Sequence, residues 1–266
     1  MYANKLGRFT STDPIFIELR RLNDPQQLNL YSYTRNNPLT FTDSTGLDIE
    51  VTGTEQEAYR KRLQQNLSFT TQINSKTNKV EIVDANGNVL DKKQLKTLGK
   101  TLKGGEKELF NAITDTKNHV TIDTVRKDAG VDFGRFDGKG KNTIDAADLD
   151  VLDASKDNGG FTSARVVGHE TLEAYAAAKT GATTPGDSHD YANQYFGGLE
   201  LANPKTLKLY GDSKAGVITR SSADSPVYGM KNVRVTITRE YLTPIPTNSI
   251  PKGQTPAHIV GVEKVP

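Results

Sequence analysis

The residues best placed to do chemistry lie between Val166 and Ala178, in the run VVGHETLEAYAAA. His169, Glu170 and Glu173 are side chains that bind metal ions or move protons. His169 and Glu173 are four positions apart, so on a helix they stack on one face. Glu170 sits about 100° further round. His189 follows after a turn and the start of a second helix. Two imidazoles and one carboxylate form a legitimate zinc ligand set that leaves a fourth position for water. In that arrangement His169, Glu173 and His189 hold Zn2+, and Glu170 is the catalytic base that deprotonates the water. Asp187, Asp190 or Asn193 can orient a histidine from behind. Glu200 is a substitute ligand if His189 does not reach. The alternative is that His169 and Glu173 form only an ion-paired contact on a helix face. An acid–histidine face in an Ala- and Val-rich segment is unfavourable to bury without a use.

The elements that must position these groups carry readable signals. Thr162 or Ser163 caps the first helix, and Gly181 ends it in the C′ role. The connection TTPGDS leads to a second helix over 189–201, capped by Asp187 or Ser188 and stopped by Asn203-Pro204. Upstream, residues 47–52 alternate like a strand. Thr54 to Glu57 reads as a capping box opening a helix to about Leu67. The runs 69–73 and 79–83 read as a hairpin, and Asn86-Gly87 as a tight turn. Helices are expected at 91–103 and 105–114, the first with a solvated lysine face. His119 falls in a strand, HVTIDTV. Downstream, 206–210, 215–220 and 227–241 alternate like strands. The tail from 243 reads as irregular, with a short strand at 258–262.

Asp137 to Asp148 has the length and frame of a calcium-binding EF-hand loop, with Asp137 first, Asp145 ninth and Asp148 last. Lys139 and Lys141 occupy positions that need ligand oxygens, and Asn142 replaces the sharp-turn glycine. Calcium is therefore not expected, and the segment reads as a turn followed by a short helix, 146–153.

Composition narrows the classes. The chain has 266 residues, long enough for one large domain or one domain plus a fragment, and at 35% hydrophobic and 25% charged it allows a packed core but not a generous one. A net charge of +2 gives no basic face for nucleic acid, so nucleic acid is not expected as a partner. With no cysteine, disulfides, thiolate metal sites and cysteine nucleophiles are excluded. No apolar run approaches the roughly 20 residues of a membrane span. Met1 is not followed by a basic stretch and an apolar core, so export is expected to rely on something outside this chain.

Two resemblances add expectations. LGRFTS-x-DP, LNLYSY-x-RNNPL and the closing D-x-TGLD, all within 1–47, resemble the end of the Rhs (YD-repeat) core. In that family a β-rich shell encloses a variable C-terminal toxin and is cut from it at a D-P-x-G-L junction. The resemblance implies a boundary after Leu47, with 48–266 the toxin tip and Asp13 and Asp43 the candidate acids for self-cleavage after Leu47. Ser44 stands where the family has proline, and Ile15-Phe16 follows Asp13-Pro14 where the family has Ile-Gly. The segment HETLE resembles the zincin helix His-Glu-x-x-His, with Glu173 in place of the second histidine. The expected fold is α+β: a zincin-like helical site layer with antiparallel β hairpins, preceded by a short β-rich Rhs-core remnant. The expected function is an Rhs-type polymorphic toxin tip, secreted or delivered into competing cells. Its chemistry would be that of a zinc metallopeptidase acting on protein substrates. Its implied partners are the Rhs shell, a secretion apparatus and a cognate immunity protein. The alternatives are a metal-dependent nuclease and a non-enzymatic interaction or adhesion tip.

Overall fold

The computed structural model describes residues 2–3, 8–9, 48–200, 203–211, 217–246 and 256–266. The chain divides into two compact units, Met1–Gly46 and Leu47–Pro266. In the first, β1 (Tyr2–Ala3) pairs antiparallel with β2 (Arg8–Phe9). Asp13, Asp43 and Leu47 lie outside the described residues.

The second unit is mixed α and β, as the sequence leads one to expect. Its central sheet has the order β3 (Ile49–Gly53), β6 (Val120–Val125), β8 (Lys141–Asp145), β7 (Gly134–Gly138). β3, β6 and β8 run parallel, and only β7 is antiparallel to its neighbour. The parallel centre departs from the expected fold, while antiparallel hairpins form outside it, one of them over the predicted runs 69–73 and 79–83. Side-chain alternation marks a strand but not its direction. Parallel neighbours need a long crossover, and residues 54–119 supply it. That crossover holds α1 (Gln56–Gln64), the hairpin β4 (Thr70–Ile73) and β5 (Val80–Val83), α2 (Lys92–Gly99) and α3 (Gly104–Thr114). The anticipated capping box at Thr54 is absent, since α1 begins after Glu55 with no side-chain cap. A capping box forms instead at Asp91, with Gln94 reaching back.

β8 leads into α4 (Ala146–Ala154), then α5 (Ser163–Thr180) and α6 (Gly186–Asn193). Thr162 caps α5 by accepting from the Arg165 amide, and Gly181 closes it with φ 73°. α5 packs on β6, β7 and β8 and on α1, α3 and α6. Its buried face includes Val167, Leu172, Ala174 and Ala177. Tyr59 of α1 is buried and shares a hydrogen bond with Thr171 of α5 at 2.9 Å. Arg62 ties α1 to α4 through Asp150 and Asp153 at 2.6 and 2.8 Å. α6 ends at Asn193, eight residues before the end expected for it, because the chain turns at Gly197 with φ 65°.

A second sheet, wholly antiparallel, has the order β12 (Ala257–Lys264), β11 (Arg234–Pro246), β10 (Val217–Pro226), β9 (Lys208–Tyr210). Residues 227–233 form its β10–β11 turn, not the start of a strand, with Gly229 and Asn232 at positive φ. The proline-rich tail supplies a full strand, β12, paired with β11 from Val235↔Lys264 to Tyr241↔Ala257. The sheet is tied down by Ser155 donating to the Val262 carbonyl at 2.6 Å and by Arg239 pairing with Asp132 at 2.9 Å. Among the described residues no helix is long and apolar enough to cross a membrane.

Candidate metal centre

α5 and α6 bring His169, Glu173 and His189 together. One ligand atom from each lies within 4.8 Å of the other two, and this is the one such cluster of three among the described residues. The one-turn spacing on α5 sets His169 above Glu173. The short turn at 181–185 folds α6 back so that His189 faces both. His169 and Glu173 are buried, with 4% and 2% exposed, while the His189 side chain is 38% exposed.

Hydrogen bonding fixes the ring orientations. His169 Nδ1 donates to the Gly197 carbonyl at 2.5 Å, which leaves Nε2 as a lone pair. The positive φ at Gly197 turns that carbonyl back towards α5, a conformation glycine adopts without penalty. His169 Nε2 lies 3.1 Å from His189 Nδ1, and the same Nδ1 lies 3.1 Å from Glu173 Oε1. Two acceptor atoms thus converge on the single Nδ1 proton of His189. Zinc ligands about 2.0–2.1 Å from the ion stand roughly 3.3 Å apart at the tetrahedral angle. The two 3.1 Å separations are close to that spacing, and the third pair of ligand atoms lies within 4.8 Å, so the residues present could hold a metal ion.

The electrostatics agree with this donor set. Burial pushes His169 down to about 4 against the opposing pull of the Glu173 carboxylate, so the imidazole is neutral at ordinary pH. His189 is raised, first by its hydrogen bond to Glu173 and then by the charge of that carboxylate. Glu170 is raised by burial and then by the neighbouring Glu173 carboxylate. A carboxyl held near neutral pH in this way suits a proton carrier.

Asn142 of β8 joins the two glutamates. It is fully buried, and its Nδ2 donates to Glu170 Oε2 at 2.6 Å and to Glu173 Oε2 at 2.8 Å. Gly134 of β7 lies under Glu170; a Cβ there would overlap the glutamate side chain. A cavity of about 160 Å³ opens beside the cluster. Its wall includes His169, Glu170 and His189, the apolar Phe133, Phe161, Val166 and Leu199, and Asp132.

Other residues named from the sequence take separate places. Asn193 is buried next to His169, with its Oδ1 unpaired among the described residues. Asp187 and Asp190 are exposed, and the Asp190 charge favours protonated His189. Glu200 lies past the end of α6, not on it, exposed, with its amide bonded to the Pro226 carbonyl. The EF-hand frame resolves into the β7–β8 hairpin and α4. Asp137 pairs with Arg135 and Thr143. Asp145 accepts from the amides of Lys127, Asp128 and Ala147, and Asp148 from that of Phe133. These two acids hold the loop that carries Asp132 and Phe133 into the cavity wall.

Sequence reasoning missed Asn142, Gly134, Gly197 and Asp132 as parts of the site. Asn142 had a signal of a kind, as the residue that spoiled the calcium loop. No family model, curated protein or solved structure matches this chain.

Proposed function

We propose that residues 48–266 form a zinc-dependent hydrolase of the metallopeptidase type, with a zincin-like site on α5 and α6. The observation that carries this reading is the gathering of one ligand atom each from His169, Glu173 and His189 within 4.8 Å of one another, with Glu170 in the wall of the adjoining cavity. When bound, zinc supplies Lewis-acid polarisation of a carbonyl and lowers the pKa of water. His169 and His189 hold their ligand nitrogens in place, His169 through its bond to Gly197. Glu170 accepts a proton from the attacking water at Oε1, the oxygen Asn142 does not engage. The same carboxyl then delivers that proton to the leaving amine. The apolar wall excludes water and accepts an uncharged side chain. The cavity lining contains no lysine or arginine, while Asp132 is paired with Arg239 and burial favours the neutral form of Glu170. That lining disfavours a phosphodiester and favours a peptide over nucleic acid.

The Rhs-like motifs in 1–47 support the wider reading: a toxin tip released from an Rhs shell, passed through a secretion apparatus into a competing cell, and neutralised in the producer by an immunity protein. Metal analysis of the purified chain, followed by a substrate panel, tests the chemistry. The expected outcome is one zinc per chain, a melting temperature raised by added zinc, and cleavage of proteins but not of plasmid or RNA. Absence of bound zinc and of any thermal shift would sink the metal site. Cleavage of nucleic acid alone would transfer the site to nuclease chemistry.

A further inference from the structure

Asn142 is the second residue of β8, with no exposed surface, 28 and 31 residues before the two glutamates it touches. A carboxamide has two N–H groups. Here each carboxylate takes one, at 2.6 and 2.8 Å. The amide cannot be reversed without setting its carbonyl oxygen against two carboxylates. Oδ1 has no partner among the described residues. A buried, unpaired carbonyl is costly, so an apolar side chain would fill this position more cheaply if packing were its only role. The two donors are what the position uses. They also sort the oxygens of Glu173: Oε2 is taken by Asn142, and Oε1 is the oxygen 3.1 Å from His189 Nδ1.

We infer that Asn142 is a positioning residue that presents Glu173 to the metal through Oε1 alone and sets Glu170 beside it. This rests on the zinc-site reading above. It acts through the carboxylates, since Asn142 is not itself among the residues lining the cavity.

The test is zinc affinity of the full chain, read by competition with a chromophoric chelator, with zinc alone as the probe. N142A is expected to weaken zinc binding about 10–100-fold, the range for loss of a group that orients a ligand. N142D keeps the shape but removes one or both donors, and is expected to weaken it at least as much. It also serves as the second variant if N142A does not fold. In an E173Q background, adding N142A is expected to change affinity by no more than about twofold, because the group it orients is already altered. Wild-type affinity in both single variants overturns the inference and leaves the zinc site standing. An equal loss with and without Glu173 also overturns it, as a general effect on the fold. If the wild-type chain binds no zinc, both the site and the inference fall.

Discussion

Gly134 lies directly against the side chain of Glu170, so close that no other residue fits at that point of β7 without moving the glutamate. Gly134 has ordinary negative φ, so the constraint is one of space alone. G134A is therefore expected to displace Glu170 while leaving the three ligands in place. Hydrolysis should fall about tenfold or more, since proton transfer depends on hydrogen-bond reach, and zinc affinity should stay within about threefold of wild type. Paired kinetic and zinc-competition measurements check this. A parallel loss of zinc would mean that β7 supports the ligands as well as Glu170.

E170Q removes the proton acceptor but keeps the shape and one oxygen. It is expected to retain stoichiometric zinc and to lose about 10²–10⁴-fold in turnover. Metal analysis beside a cleavage assay reads both. Unchanged turnover would remove Glu170 from the chemistry.

Zinc affinity should rise with pH. His169 is held down near 4 by burial and does not compete for protons above pH 5. His189 is raised by its bond to Glu173, so it must release a proton before it binds metal. Below the pKa of His189 in the folded protein, affinity should gain up to about tenfold per pH unit, and above it the dependence should flatten. E173Q removes the largest cause of the raised pKa and should move the break to lower pH. A titration between pH 5.5 and 9 checks this, and a flat profile would exclude His189 as a ligand.

His119 offers an independent check on the electrostatics away from the site. Its Nδ1 pairs with Asp48 at 2.7 Å, and its Nε2 lies 3.5 Å from Glu50. The Asp48 hydrogen bond, with help from Glu50, raises it to about 9. A raised pKa stabilises the fold fully below the unfolded value of about 6.5, and the contribution is lost as pH rises through about 9. Its side chain is half exposed, so the contribution is that of a surface pair, about 0.2–1 kcal/mol. H119A should therefore be less stable than wild type at pH 6 and equal to it at pH 10 by urea denaturation.

Asp145 stands ninth in a calcium-loop frame not expected to bind calcium, and it serves the backbone. It is fully buried and accepts from three amides. D145A leaves them unpaired and should cost about 2–4 kcal/mol, given 1–3 kcal/mol for each buried unsatisfied group offset by relaxation. Urea unfolding measures the loss. If calcium raised the stability of the wild type but not of D145A, the loop would be a cation site after all.

Local chemistry was enough to place much of this protein. The caps Thr162 and Gly181, the one-turn spacing of His169 and Glu173, and the helix bearing His189 are all short-range facts. Backbone hydrogen bonds and side-chain stacking within a turn depend on near neighbours, and a sequence displays its near neighbours. The coarse α+β class followed from the same periodicities. What only the tertiary structure decided depends on residues far apart in the chain. The parallel pairing of β3, β6 and β8 is invisible to alternation, which is the same in either direction. Asn142 looks like a turn residue until β8 is laid beneath α5 and its two N–H groups meet Glu170 and Glu173. Gly134 matters only because Glu170 lies over it, and Gly197 only because its carbonyl meets His169. The early end of α6 is of the same kind: the pattern through 201 allowed a helix, and the turn at Gly197 ends it where the chain must come back to hold the imidazole.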